Sequence, residues 1–589
     1  MLVSDYILKF LYEKKVKDVF LLTGGAASFI VDAFSRQNKI KFTCVGHEQS
    51  SAMMADAYSR VGPNFSATLS SSGPGGQNLV TGIACSWFDS IPVMHITGNV
   101  NTYESIGAQK GTNGVRQIGF QETDVVSMVK PITKYAVKIK SDREIAKELE
   151  KAYQIAISGR PGPVLIDIPM DIQKKKIRLK DKKKKIKTSI KFKVKKTESQ
   201  KIDKIINLIN RSSRPVLLIG GGVRISNSVN VLEKIIRKLK IPLVTTWSGV
   251  DSVDHYNENF IGTAGVYGTR PANFTIQNSD LLICLGTRLE TRLTGGKPNT
   301  FAKKSKIIVV DIDKNELSKK RGININIAIN MNLNSFLPIF NQKLKIKNAN
   351  KWNQWKKICK NWNTKYPIID KKYYSQNYYV NPYVFLNKLS KRLKNNDIIV
   401  SATGAHLTWA MQALKLKRNQ RMFSAFGNSP MGYALPGSIG ACIAKGKKKR
   451  IICLDGDGSL QINLQELQTI NYYKLPIKIV LMNNSGYGII KQFKELYLKT
   501  KRDLSWKGIS NPNFKKLSKT YKIKYFSILN NKNIDSNLKK FLNQRGAGFL
   551  EVKISPNQKI IPKVTFGDSI ENTYPYLPKK ELKKNMIKT

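Results

Sequence analysis

Short apolar runs followed by a turn of small or acidic residues recur along the chain, and they constrain its fold more than any other feature. Val19–Leu22, Pro215–Ile219 and Ile451–Leu454 are examples. Continuous apolar runs of this length, each followed by a segment of helical periodicity, are typical of parallel strands that helices cover on both faces. The pattern therefore predicts an α/β fold built from doubly wound parallel sheets.

Length and charge divide this pattern into three units. The 589 residues exceed what one hydrophobic core usually organises. Lysine-rich stretches such as Lys182–Lys185 lack strand character and indicate connectors. We predict α/β domains over residues 1–175, 199–345 and 377–560, a basic linker over 176–198, a second linker over 346–376 and a C-terminal tail over 561–589.

The net charge of +60 is the most unusual feature of the composition. Such an excess can indicate an anionic macromolecular partner. However, lysine is spread over the whole chain, and arginine, which binds phosphates and bases better, is the scarcer cation. We therefore expect no nucleic-acid partner, although the lysines would attract anionic substrates and cofactors.

Two further patterns bear on location. No apolar run approaches the roughly 18 residues of a membrane span, so we expect no membrane partner. The six cysteines lie far apart without a Cys-x-x-Cys pair, which favours neither a zinc site nor a disulfide framework. A reducing, cytoplasmic location fits this pattern.

An acidic residue and an amide follow two successive strand patterns in the third unit. Asp457 comes directly after Ile451–Leu454 and its short turn, and Asn484 ends the next apolar run. Side chains at the carboxyl ends of neighbouring parallel strands can converge. Asp457, the Asn484 amide oxygen and a main-chain carbonyl near Gly486 would supply the hard oxygens that Mg²⁺ prefers, together with those of a diphosphate.

The residues around Asp457 suit a phosphate. Gly456 and Gly458 allow the backbone to approach phosphate oxygens, and Ser459 begins a helix whose amino end favours anions. The alternative is a Gly-Asp turn before an ordinary helix. The strand, the spacing and the asparagine together favour the binding site.

These residues resemble the diphosphate-binding segment of the thiamine-diphosphate enzyme superfamily, and segments elsewhere resemble its acetolactate synthase (acetohydroxyacid synthase) branch. The similar segments are Val45–Gln49, Ser72–Leu79, Asp89–Pro92, Gly119–Thr123, Gly404–His406 and Ser429–Tyr433. The resemblance covers nearly the whole chain. It implies a pyrimidine-binding domain, a central FAD-binding-like domain and a domain that binds diphosphate and Mg²⁺.

The resemblance also implies roles for single residues. Glu48 would contact the aminopyrimidine of the cofactor and so promote loss of the thiazolium C2 proton. Phe120 and Gln121 would border the reacting carbon, and Met431 would hold the cofactor in its bent form. Other residues that it assigns to thiamine diphosphate are Gly25, Pro74, Asn78, Gly404 and His406. The alternatives are structural: a helix start at Glu48 and a buried core methionine at Met431.

The central unit favours the acetolactate synthase branch, in which FAD is mostly structural. The residues similar to its FAD site are Arg160, Gly221, Gly222, Gly286, Arg288 and Asp311. Arg292 matches the arginine that receives the carboxylate of a second 2-oxo acid, a role that suits a planar, permanently charged group. Alternatively, Arg292 pairs with the acids of its own sheet.

Four residues depart from the pattern of that branch: Met170 replaces a lysine, Thr291 an aspartate, Phe493 a tryptophan and Ala405 a glutamine. Most of them should border the acceptor or the cofactor. The leading hypothesis is decarboxylation of pyruvate and carboligation to a second 2-oxo acid, in branched-chain amino acid synthesis.

Two other hypotheses remain. The tail, for example Pro575–Pro578, resembles a subgroup associated with surface-polysaccharide synthesis, in which the acceptor would be a nucleotide-linked keto sugar. A catalytically inert scaffold or anion-binding protein is the remaining class. In the superfamily the domains that carry Glu48 and Asp457 meet across a subunit boundary, so the resemblance implies a homodimer or homotetramer, and it allows a small regulatory subunit.

Overall fold

Three six-stranded parallel sheets follow one another along the chain, each flanked by helices, in a computed structural model that describes residues 1–177, 196–498 and 508–587. They confirm the predicted α/β fold with three doubly wound domains. The predicted basic linker, residues 176–198, lies largely outside the described residues, and a helix begins at Lys196, within its last three residues. None of the described helices has the length and apolar character needed to cross a lipid bilayer.

The first sheet has the strand order β2-β1-β3-β4-β6-β5. Its strands are β1 (Asp18–Leu21), β2 (Lys41–Cys44), β3 (Ser66–Ser70), β4 (Val93–Asn99), β5 (Tyr135–Lys138) and β6 (Val164–Pro169). Its helices are α1 (Val3–Glu13), α2 (Ser28–Ala33), α3 (Glu48–Val61), α4 (Pro74–Asn78), α5 (Val80–Asp89), α6 (Val125–Val129), α7 (Ile145–Ile157) and α8 (Met170–Gln173). Because β1 lies between β2 and β3, the turns that follow these three strands share one edge of the sheet.

The second sheet has the order β12-β11-β10-β7-β8-β9. Its strands are β7 (Pro215–Ile219), β8 (Leu243–Thr245), β9 (Phe260–Thr263), β10 (Leu281–Leu285), β11 (Lys306–Asp311) and β12 (Ile325–Asn330). Its helices are α9 (Lys196–Arg211), α10 (Gly222–Ile225), α11 (Val229–Leu239), α12 (Arg270–Gln277), α13 (Thr291–Thr294), α14 (Lys314–Ser318) and α15 (Leu333–Lys343). Helix α16 (Asn353–Lys365) buries Trp355 and Trp362 against this domain.

The third sheet has the order β14-β13-β15-β16-β18-β17. Its strands are β13 (Ile398–Ser401), β14 (Arg421–Phe423), β15 (Ile451–Gly456), β16 (Ile477–Asn483), β17 (Lys524–Ile528) and β18 (Gly548–Lys553). Its helices are α17 (Pro382–Arg392), α18 (Ala405–Ala413), α19 (Ala434–Ala444), α20 (Asp457–Leu460), α21 (Glu466–Tyr472), α22 (Gly488–Tyr497), α23 (Phe514–Thr520) and α24 (Ile534–Asn543).

The residues after the third sheet return to the second domain. They form a short hairpin, β19 (Lys563–Val564) with β20 (Thr573–Tyr574), and helix α25 (Lys579–Asn585). The side chain of Asn273 in α12 donates to the carbonyl of Ile570 at 2.8 Å, and Trp362 donates to the Asn585 side chain at 2.9 Å. The tail therefore joins the third domain to the second.

Helix α3 of the first domain packs against α19 of the third, and a buried charge network lies at this contact. The Arg60 guanidinium donates to Asp56 at 2.6 Å and to Asp89 at 2.8 Å. Tyr433 at the start of α19 donates its hydroxyl to Asp56. The side chain of Asp56 is 0% exposed and those of Arg60 and Asp89 are 8% and 7% exposed.

We expect Arg60→Met to lower the free energy of unfolding by about 3–5 kcal/mol, because it leaves two buried carboxylates without their cation. Urea unfolding followed by circular dichroism measures the change. Arg36→Met is the matched control, since Arg36 pairs with Asp5 at 2.7 Å on the surface and an exposed pair contributes at most about 1 kcal/mol. Equal losses in the two variants would contradict the prediction.

Candidate active site

Glu48 is the first residue of α3 and lies at the carboxyl edge of the first sheet. Its side chain is buried, and its Oε2 accepts a hydrogen bond from the Asn78 amide at 3.0 Å. His47 caps the helix, because its Nδ1 accepts the N–H of Gln49 at 3.1 Å. A carboxylate in the first turn of a helix is also favoured by the helix dipole. The structure thus holds the Glu48 carboxylate in a defined orientation.

The other predicted residues of the first domain differ in their surroundings. Pro74 and Asn78 begin and end α4, beside Glu48. Gln121 is half-buried next to this segment, since a Cβ at Gly73 would lie 2.9 Å from its Cβ. In contrast, Phe120 is 85% exposed. Gly25 lies at the surface after β1, with open space beside it.

Asp457 follows β15, Asn484 follows β16, and Gly486 hydrogen-bonds to Asp457 at this edge of the sheet. The Asp457 carboxylate accepts the N–H of Gly458 at 3.0 Å, the N–H of Gly486 at 2.8 Å and the Asn511 amide at 2.7 Å. Burial raises the pKa of Asp457. The Asn484 side chain is buried, and its Nδ2 has no hydrogen-bond partner among the described residues.

This donor set is one that Mg²⁺ can use, because it offers a carboxylate, an amide oxygen and main-chain carbonyls. Among residues 1–177, 196–498 and 508–587, no group of three His, Cys, Asp or Glu side chains could hold a metal ion. A cation at Asp457 would therefore need the amide and carbonyl oxygens and those of a bound ligand.

His406, the second residue of α18, packs against two of the predicted glycines. A Cβ at Gly404 would lie 2.7 Å from its Cε1, and one at Gly456 would lie 2.8 Å from its Nδ1. Burial lowers the pKa of His406 to about 4, so the ring is neutral at pH 7. Its Nε2 lies 3.8 Å from the carboxyl of Asp455, and burial raises the pKa of that carboxyl to about 7. A neutral imidazole keeps one N–H that can donate to a phosphate oxygen.

Met431 lies half-buried in a turn that is fixed on both sides. Ser429 and Gly432 adopt left-handed backbone conformations, with φ of 56° and 81°. The hydroxyls of Ser429 and Thr403 are 2.6 Å apart, and the N–H of Gly432 donates to the Ser459 hydroxyl at 2.9 Å. These contacts determine where the Met431 side chain is presented.

Asn463 connects the Met431 turn to the first domain. Its Nδ2 donates to the Gly432 carbonyl at 2.8 Å, and its Oδ1 accepts from the Ser50 hydroxyl at 3.2 Å and the Gln49 amide at 3.3 Å. Ser50 and Gln49 belong to the first turns of α3, which Glu48 begins. Within the described residues, the Glu48 side chain itself hydrogen-bonds to Asn78 and to no residue of the third domain.

Three residues at these contacts were not predicted from the sequence: Asn463, Asn511 and Glu466, whose carboxylate accepts the N–H of Gly46 at 3.0 Å. Glu466 could have been noticed as an acid in an otherwise apolar helical pattern. Asn463 and Asn511 lie outside the motifs singled out above, and the sequence does not distinguish them from other asparagines.

A cavity of about 740 Å³ opens between the three domains. All residues predicted for FAD line it: Arg160, Gly221, Gly222, Gly286, Arg288 and Asp311. Its volume is within the range of small-molecule sites. Arg160 also links two domains, since its guanidinium donates to Asp313 at 2.9 Å and to the Ser90 hydroxyl at 2.8 Å.

Arg292 lies on the same cavity. Its guanidinium stacks 4.8 Å from the centre of the Trp247 ring and donates to the Phe426 carbonyl at 3.2 Å. Glu290 accepts only the main-chain N–H of Arg292, at 2.7 Å. In the described part of the chain the guanidinium has no ion pair with the acids of its own sheet, and its side chain contacts the Trp247 ring and the Phe426 carbonyl.

Three protein-family profiles match the chain. They are "Thiamine pyrophosphate enzyme, N-terminal TPP binding domain" over residues 1–128, "Thiamine pyrophosphate enzyme, central domain" over 202–337 and "Thiamine pyrophosphate enzyme, C-terminal TPP binding domain" over 402–552. Their order along the chain is that of the three sheets.

Similar proteins match nearly the full length. An acetolactate synthase large subunit from Porphyra purpurea is 33% identical, over 94% of this chain and 91% of the relative. Acetolactate synthase isozyme 2 large subunit from Escherichia coli (strain K12) is 31% identical, over 96% of this chain and 98% of the relative. An acetolactate synthase large subunit from Lactococcus lactis subsp. lactis (strain IL1403) is 30% identical, over 96% and 94%. The chain therefore belongs to the acetolactate synthase large-subunit family of thiamine pyrophosphate (thiamine diphosphate) enzymes.

Proposed function

We propose that this enzyme decarboxylates pyruvate and joins the two-carbon unit to a second 2-oxo acid, pyruvate or 2-oxobutanoate, in branched-chain amino acid synthesis. The observation that carries the proposal is the Glu48 carboxylate, buried and oriented by Asn78 within the N-terminal TPP-binding domain. The names of the relatives and the full-length match support the same reaction.

The candidate site residues would have different roles around the bound cofactor. Bound thiamine diphosphate supplies an electron sink for the electrons that the departing carboxylate leaves behind. With the cofactor bound, Glu48 would exchange a proton between its carboxyl oxygen and the pyrimidine. His406 would donate one N–H to a phosphate oxygen, and Ser459 fixes the turn that presents Met431. Phe120 and Gln121 would border the reacting carbon.

The third domain would hold Mg²⁺ through the carboxylate of Asp457, the amide oxygen of Asn484 and the carbonyl of Gly486. The Gly486 N–H already donates to Asp457 at 2.8 Å, which supports this grouping. The backbone at Gly404, Gly456 and Gly458 would face the diphosphate.

The cavity between the domains would hold FAD, in a structural role. Its volume of about 740 Å³ and the six predicted residues along its wall support this assignment. Arg292, on the same wall, would receive the carboxylate of the second 2-oxo acid, because within the described residues its guanidinium has no ion pair with a carboxylate of its own sheet.

We further propose a homodimer or homotetramer. The Glu48 side chain hydrogen-bonds to no residue of the third domain of its own chain in the described residues, and a second copy could supply that face. The relatives are named large subunits, which supports a small regulatory partner. The free cysteines, five of them buried, support a reducing cytoplasm.

The purified protein, given pyruvate, thiamine diphosphate, Mg²⁺ and FAD, should consume two pyruvates for each CO₂ released and form acetolactate, with kcat on the order of 10 per second. Pyruvate loss and the product's mass spectrum measure this. Consumption only after addition of a nucleotide-linked keto sugar would replace the proposal by the sugar carboligase. Binding of cofactors without turnover of any donor would favour the inert scaffold.

A further inference from the structure

The ammonium group of Lys563 lies in an apolar setting without an anion. Lys563 is 4% exposed, and its Nζ lies 5.7 Å from the ring centre of Tyr267 and 5.2 Å from that of Tyr497. Within the described residues its Nζ has no hydrogen-bond or ion-pair partner. Burial lowers the pKa of this ammonium group. A buried charge of this kind is costly unless an anion accompanies it.

Lys563 and Arg292 border the same loop of the second domain. The N–H of Val564 donates to the Val266 carbonyl at 2.7 Å, and the N–H of Val266 donates to the Arg292 carbonyl at 2.7 Å. Tyr267 packs 5.9 Å from Trp247, the ring on which Arg292 stacks. Two cations therefore lie along one aromatic wall.

Tyr497, whose ring Lys563 contacts, is the last residue of α22, the helix that follows the Asn484–Gly486 loop. The tail residue Phe566 stacks on Tyr497 at 4.5 Å and meets Phe493 edge-on at 5.7 Å. The N–H of Phe566 also donates to the Tyr497 hydroxyl at 3.0 Å. Phe493 is one of the residues in which the chain departs from the acetolactate synthase pattern.

Two acids that lie near this wall in the described part of the chain are engaged elsewhere. Glu495 pairs with Lys559 at 2.6 Å. Asp568 accepts hydrogen bonds from the Asn572 amide at 3.0 Å and the Tyr576 hydroxyl at 2.9 Å. Among residues 1–177, 196–498 and 508–587, this wall carries cations and aromatic rings without a paired carboxylate, so a bound ligand can supply the complementary anion.

We propose that Lys563 forms a subsite that binds the oxyanion of the acceptor substrate, on the aromatic wall that also carries Arg292. The oxyanion is either the carboxylate of a 2-oxo acid or the diphosphate of a nucleotide-linked sugar. The assignment of the ligand as the acceptor substrate rests on the proposed function. Binding of an anion at Lys563, in contrast, can be measured without turnover.

The test titrates the full-length protein, loaded with thiamine diphosphate and Mg²⁺, with oxamate and separately with UDP in a calorimeter. Lys563→Met should weaken binding of one of these anions about tenfold, the effect of losing one charge-assisted hydrogen bond. Lys559→Met is the matched control, because Lys559 pairs with Glu495 and its side chain is 41% exposed. Its affinities should equal those of the wild type.

Each outcome of the titrations either supports the anion subsite or overturns it. Weaker oxamate binding supports a carboxylate ligand, and weaker UDP binding alone supports a diphosphate. Unchanged affinity for both anions, or no binding of either by the wild type, overturns the subsite.

If Lys563→Met does not fold, a second experiment uses the wild type. Acetylation of Lys563 by acetic anhydride should be slowed by the anion, and equal acetylation with and without the anion overturns the proposal. Loss of the proposed function would appear separately, as wild-type protein that does not consume pyruvate.

Discussion

Glu48→Gln should lower the rate of pyruvate consumption about 10²–10⁴-fold, the usual contribution of a positioned general acid or base. Glutamine keeps the size of the side chain and an oxygen that can accept from Asn78, which now donates at 3.0 Å. The substitution therefore removes the exchangeable carboxyl proton and little else. Steady-state assays with saturating thiamine diphosphate and Mg²⁺ measure the loss, and it should lie in kcat rather than in the affinity for the cofactor.

Glu148→Gln provides the control for this experiment. Glu148 is as buried as Glu48, at 8% exposure, and lies in α7 of the same domain, where it accepts from the Tyr135 hydroxyl. Its variant should keep wild-type kcat. A Glu48→Gln enzyme that retained more than about a tenth of the activity would exclude Glu48 as the proton-exchanging group.

Asp457→Ala should abolish Mg²⁺-dependent binding of thiamine diphosphate, with a dissociation constant raised at least about a hundredfold. Loss of a group that merely supports a metal ligand typically weakens binding 10–100-fold, so loss of a direct ligand should do more. Calorimetric titration with thiamine diphosphate, in Mg²⁺ and in EDTA, measures the effect. The wild type should lose affinity in EDTA, and the variant should show no further loss.

Two further variants serve as comparisons for Asp457→Ala. Asn511→Ala removes a hydrogen bond of 2.7 Å to the Asp457 carboxylate and should weaken binding less. Asp535→Asn changes a carboxylate in the same domain that pairs with Lys388 and Arg392 at the surface, and should leave binding unchanged. If Asp457→Ala bound the cofactor with wild-type affinity and the same response to EDTA, the metal would have to lie elsewhere.

The sheets could be predicted from the sequence because parallel strands bury both faces. The run Ile451–Leu454 lies within β15 (Ile451–Gly456), and Pro215–Ile219 is β7, since apolar residues fill both sides of these strands. The grouping of Asp457 with Asn484 and Gly486 follows from the same rule, because neighbouring strands end at one edge.

Contacts between domains could not be predicted in this way. Asn463 joins the Met431 turn to α3 across more than 400 residues of chain, and no local periodicity encodes such a pairing. Phe120, expected near the reacting carbon, is 85% exposed, because its position depends on what covers that loop. Lys563 lies in the predicted C-terminal tail, where no sequence signal distinguishes it from the other lysines, and it is buried where the tail pairs with Val266.

The docking of the tail on the second domain has a consequence for the order in which the enzyme matures. Synthesis proceeds from the N terminus, and domains fold as they emerge from the ribosome. Residues 561–587, which carry β19, β20 and α25, are made after all three sheets. A nascent chain can thus have all three sheets and still lack the wall that Lys563 and Phe566 complete. Synthesis of the tail, rather than folding of the third sheet, is then the step that completes this wall.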